Sequence, residues 1–178
     1  MSTQTEIPSL ASLEYRPYLT NGCIDEGIAG KIGVYAIFDL EQSLCYVGYS
    51  RDVYLSLKQH LIRQPNYCYW FKLETIARPS RKVLAEIAST WIAENGSTPV
   101  GNDRQQQLWT EPIDANPAMT EAEKAQYEQS EELKQIKIRK QVARRVEAQI
   151  IEQLSDRGVK MEIRFNPKLK EKGLLDLK

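Results

Sequence analysis

The stretch Gly33–Leu61, GVYAIFDLEQSLCYVGYSRDVYLSLKQHL, constrains what this chain can fold into more than any other. Its β-branched and aromatic runs predict two strands, Ile32–Phe38 and Leu44–Tyr49. Only the polar turn DLEQS separates them, so they pair as an antiparallel hairpin. Asp52 stands at an N-cap position, and Val53, Leu57 and Leu61 fall on one face of the helix that follows. Pro65 ends that helix. YCYWFKLETI then predicts a third strand, Cys68–Ile76. A second helix opens at Ser80, presents Val83, Ile87, Trp91 and Ile92 on one face, and stops at Gly96. The expected fold class is α/β in the α+β sense, with a small three-stranded antiparallel sheet flanked by helices over residues 30–96.

The flanking segments read differently. Residues 1–29 are an irregular lead-in rich in turn formers, with one short helical turn at Ser9–Glu14. Residues 97–119, punctuated by Pro99, Gly101, Pro112 and Pro117, are long for a structureless loop. They form either a boundary or a segment laid over the core, anchored by Leu108, Trp109 and Ile113. Thr120 and Glu123 have capping-box spacing, so residues 120–178 are expected to begin with one long helix running to Gly158. An extra strand, VKMEIRF, and a basic tail follow.

Composition narrows the function. The chain has 178 residues, 42% of them apolar and 27% charged, enough to bury a core. No apolar run approaches the roughly 20 residues of a membrane span. The opening MSTQTEIPSL lacks the basic start and apolar run of a secretory leader, so the expected location is cytoplasmic. Cys23, Cys45 and Cys68 form no closely spaced pair, which suits free thiols in a reducing compartment. With a single histidine, any catalytic histidine must be His60.

The zero net charge conceals a division. Residues 1–132 carry 11 Lys+Arg and 18 Asp+Glu, whereas residues 133–178 carry 13 and 6. Six bases and no acid lie in residues 133–145, LKQIKIRKQVARR. Ile138, Val142, Val146, Ile150 and Leu154 recur at i+4, so the helix has an apolar stripe and a basic face. Lys137, Lys140, Arg144 and Arg145 on that face are candidates for contact with a phosphate backbone. The alternative is a solvated face, or one packed against a protein partner or a second copy.

Gly33-Val34-Tyr35 and Tyr46-Val47-Gly48, on adjacent predicted strands and followed by a helix, resemble the paired signature of the GIY-YIG nuclease superfamily. The resemblance covers residues 30–96. It implies Tyr35 and Tyr46 acting on a nucleophilic water, His60 assisting, and Glu86 binding Mg²⁺, with Glu94 the weaker metal candidate. The arginine that the resemblance calls for falls at Ser56, which carries no charge to oppose a phosphate. Arg51, just before the helix, is the expected deputy, in preference to Arg63, Arg81 or Lys82.

Two readings follow from that resemblance. One is a GIY-YIG-type domain, catalytically weak or silent, that binds nucleic acid or protein. The other is an active Mg²⁺-dependent endonuclease of DNA or RNA. Convergence of Tyr35, Tyr46 and Glu86 on a polar cleft with a cation favours the enzyme. A cleft filled by the 97–119 segment or the long helix favours the binding module.

Overall fold

The computed structural model describes residues 6–178, so the first five residues of the predicted lead-in lie outside the described residues. The fold is mixed α and β, and it divides into two compact units at Thr110/Glu111. This division falls within the predicted 97–119 loop.

The first unit is built on a four-stranded antiparallel sheet in the order β1-β4-β2-β3, comprising β1 (Arg16–Pro17), β2 (Ile32–Phe38), β3 (Leu44–Ser50) and β4 (Trp70–Ile76). The sheet therefore has one more strand than expected. Strand β1 is two residues long and carries Pro17, which hid it from a pattern of alternating apolar residues. β2 is central and buried along nearly its whole length. Its side chains alternate between two covered faces. Val34, Ala36 and Phe38 pack with Leu84, Ile87, Ala88 and Trp91 of α2 (Arg81–Glu94). Tyr35 and Ile37 point to the other face, where α1 (Val53–Arg63) brings Val53, Leu57 and Leu61 into the core. Asp52 and Ser80 cap these helices as expected, accepting from the Leu55 and Val83 N–H groups.

The N-terminal arm is held by two polar contacts, one buried and one at the surface. Lys72, only 4% exposed, donates to the Leu10 carbonyl at 3.0 Å and sits over the Tyr15 ring. The Glu94 carboxylate accepts from the Leu10 and Ala11 N–H groups, each at 2.9 Å. The predicted turn at Ser9–Glu14 is a 3-10 turn, Leu10–Ser12, capped by Ser9. Past α2, a 3-10 turn at Val100–Asn102 and α3 (Gln106–Thr110) structure the segment expected to be a loop.

The second unit pairs β5 (Ile113–Asp114) with β6 (Leu174–Leu175) and contains α4 (Glu121–Glu128), α5 (Glu132–Asp156) and α6 (Pro167–Lys170). Thr120 and Glu123 form the expected capping box. The single helix predicted from Thr120 to Gly158 is interrupted at Gln129–Glu131. The break is held from both sides: the Tyr127 carbonyl accepts from Ser130 N–H and Gln135 Nε2, and the Arg139 guanidinium bonds the Tyr127 hydroxyl and stacks on its ring. The extra strand expected at VKMEIRF is not formed; only an isolated bridge, Phe165–Leu177, occurs there. The apolar stripe of α5 is buried at Ile138, Val142, Ile150 and Leu154, joined by Ala143, with Val146 half-buried. No helix among the described residues is long and apolar enough to cross a membrane.

Candidate functional site

Gly48 organises the place where Tyr35, Tyr46 and His60 meet. It pairs with Tyr35 across the β2–β3 hairpin. Without a side chain there, the Tyr35 and Tyr46 rings can close over the strand. A Cβ on Gly48 would stand 2.6 Å from the Tyr46 ring and 2.8 Å from the Tyr35 hydroxyl. The two rings lie 6.2 Å apart, and α1 places His60 between them. His60 Nε2 is 2.7 Å from the Tyr35 hydroxyl, and its ring is 4.7 Å from that of Tyr46. One helical turn earlier, the Ser56 hydroxyl donates to Ser50 Oγ at 2.7 Å.

Trp109 closes this cluster. Its ring stacks on Tyr46 at 5.2 Å with only 4° between planes, and it lies 5.6 Å from His60. Arg63 Nη1 donates to the Trp109 carbonyl at 3.0 Å, tying α3 to the end of α1. Tyr35, Tyr46, His60 and Trp109 are all buried.

The electrostatics follow from that burial. Desolvation lowers the His60 pKa to about 3, and the nearby Arg63 charge acts in the same direction. Desolvation holds the Tyr35 phenol well above its ordinary range, aided by Tyr46 and opposed by Ser56 and Arg63. Tyr46 is raised for the same first reason, with Arg63 again opposing. Near neutral pH the cluster is uncharged apart from Arg63. It is an aromatic cluster joined by the Tyr35–His60 hydrogen bond, with His60 Nδ1 and Trp109 Nε1 buried without a hydrogen-bond partner.

The expected constellation is only partly assembled. Tyr35, Tyr46, His60 and Ser56 do meet. Arg51 is exposed, and the cation whose charge bears on the cluster is Arg63. Arg63 lies on the helix that carries His60, and its charge bears on His60 and on both tyrosines. Glu86 is exposed on α2, the helix packed on the Val34–Ala36–Phe38 face, so the sheet separates it from the tyrosines. Glu94 holds the N-terminal arm. The described residues contain no group of three His, Cys, Asp or Glu able to hold a metal.

On the basic helix, Arg145 is turned onto Glu123 at 2.8 Å and the Ala118 carbonyl at 2.8 Å. Lys140 lies 3.5 Å from Glu171. Lys137 and Arg144 remain exposed. Sequence reasoning missed Asn102, whose side chain covers the outer edge of β3 at Val47. A lone asparagine in a Gly- and Pro-punctuated segment offers no signal for such a contact.

Comparison with known proteins redirects the family assignment. No family model matches the chain. It is 33% identical over 81 residues to the bifunctional monothiol glutaredoxin-S16, chloroplastic, of Arabidopsis thaliana, a match covering 43% of this chain. The chain spans 28% of that relative's length. The relative carries a glutaredoxin's name, and this finding overturns the assignment to the GIY-YIG superfamily. With that assignment fall the silent nuclease-like domain, the active endonuclease and the magnesium requirement that went with them.

Proposed function

We propose that this chain is a protein-binding module of a thiol-redox system, one that works beside a glutaredoxin-type domain and does not itself supply the reactive thiol. The observation that carries this reading is the segment shared with a monothiol glutaredoxin in a chain where Cys45 and Cys68 are ill suited to exchange. Cys68 is buried, and burial together with Asp39 pushes the Cys45 thiol up to about 11. An exchanging thiol needs the opposite, a thiolate near neutral pH. None of the three cysteines forms a disulfide, which suits a reducing compartment such as the cytoplasm. The relative's name calls it bifunctional, and a module of this size accounts for a fraction of such a protein.

Two measurements test the reading. Calorimetric titration of the full chain with a purified monothiol glutaredoxin is expected to give saturable binding. A disulfide-reduction assay with glutathione is expected to show no turnover by the chain alone. Absence of binding up to about 1 mM, where only interactions weaker than roughly 4 kcal/mol escape detection, overturns the module reading. Turnover that disappears in Cys45→Ser overturns the claim that the thiol chemistry lies elsewhere.

A further inference from the structure

We propose that the outward face of α5 is a self-association surface that pairs two copies of this chain in antiparallel fashion across Ala148. This inference does not rest on the glutaredoxin-type reading. Arg144, Ala148, Ile151 and Ser155 are all exposed, at alternating spacings of four and three residues. That spacing makes one straight stripe along a helix. Ile151, 40% exposed, supplies apolar contact at its centre, and Ala148 is small enough to let a second helix approach. Glu152 and Asp156 border the stripe and, with Arg144, line one shallow depression. Arg144, Glu152 and Asp156 enter no salt bridge among the described residues.

The order of charges selects the occupant. Residues 134–145 carry six bases and no acid, whereas residues 146–156 carry Glu147, Glu152 and Asp156 and no base. A partner of a single sign would be repelled by half of this helix. A parallel copy would set like charges against like. An antiparallel copy centred on Ala148 sets residues 140–145, with Lys140, Arg144 and Arg145, against residues 151–156 of the other copy, with Glu152 and Asp156, which is the self-complementarity a two-fold interface requires. Arg144 and Glu152 lie four residues to either side of Ala148, about 6 Å along the axis in each direction. A two-fold through Ala148 therefore brings Arg144 of each copy toward Glu152 of the other.

Sedimentation velocity on the full chain, over concentrations up to about 1 mM, tests the proposal. The parent is expected to show a monomer–dimer equilibrium that weakens with added salt. Arg144→Glu and Glu152→Arg are each expected to weaken dimerisation about tenfold, since every symmetric pair becomes a repulsion. Both changes in one chain are expected to restore it to within about threefold of the parent. Both sites are exposed, and circular dichroism checks that helicity is kept. A monomer throughout the range overturns the proposal, as does a dimer indifferent to both single changes. A double variant no tighter than the single ones overturns the antiparallel register.

Discussion

The Asn102 side chain pairs with Val47 as a neighbouring strand would: its Oδ1 accepts from the Val47 N–H at 2.8 Å, and its Nδ2 donates to the Val47 carbonyl at 2.7 Å. β3 is an edge strand, and an unpaired edge is an invitation to another chain. One amide therefore satisfies the edge at the residue between Tyr46 and Gly48. Asn102→Ala leaves both Val47 groups without that partner and is expected to cost about 1–3 kcal/mol. Urea unfolding with an unchanged slope and a lower midpoint is the expected record. A midpoint equal to the parent's would show that solvent replaces the amide at no cost.

Gly48 supports a sharper test. Its conformation is not the issue, since it lies in a regular strand; the space is. An added methyl would meet both tyrosine rings at under 3 Å, and neither ring can withdraw without disturbing His60 or Trp109. Gly48→Ala is expected to destabilise the first unit by roughly 1–3 kcal/mol, as overpacking does. The near-ultraviolet circular dichroism of the tyrosines and Trp109 should change with it. A stable variant with an unaltered aromatic spectrum would mean that the rings are looser than their packing indicates.

Trp109 is the closure, and its removal separates packing from polarity. Trp109→Ala deletes the ring stacked on Tyr46 and is expected to cost about 3–5 kcal/mol. It also opens His60 to water, so the histidine pKa, followed by NMR, should rise from about 3 toward the ordinary 6.5. Trp109→Phe keeps much of the cover and should leave the pKa depressed. If the alanine variant keeps the depressed value, Trp109 is not what excludes solvent.

The elements that were legible in the sequence share a cause. β2, β3, α1 and α2 each bury a regular set of apolar side chains, and a periodic pattern records burial directly. β1 and the break before α5 were not legible because they rest on a few specific contacts and not on a repeating apolar pattern: two residues paired with Phe71 and Trp70, and Ser130, Gln135 and Arg139 gathered on Tyr127. The closeness of Tyr35 and Tyr46 could be read from the hairpin, whereas the place of His60 beside them was expected only from the resemblance. Glu86 could not be placed, because the helix pattern identifies a buried face without saying which side of the sheet it covers. Strand pairing across a small residue accounts for the closeness of the two tyrosines in the paired tripeptides.

Arg63 and burial together set up a dependence on acid. His60 titrates at about 3 in the folded chain against 6.5 when unfolded. Above 6.5 it is neutral in both states and contributes nothing. As pH falls below 6.5, the unfolded chain takes up the proton first, so folding loses about 1.4 kcal/mol per pH unit until about 3. At pH 5 the loss from this one group is expected to be about 2 kcal/mol. Glu123 adds to acid lability through a different window. Its pairing with Arg145 lowers its carboxyl from 4.5 to about 2, so its contribution is present above 4.5 and is lost as pH falls through about 2. Measurements between pH 7 and 5 therefore isolate the histidine. The parent should lose stability across that interval, and His60→Gln should be nearly flat there, whatever its own cost at pH 7. Equal slopes for parent and variant would mean that His60 is solvated in the folded protein, contrary to its place between Tyr35, Tyr46 and Trp109.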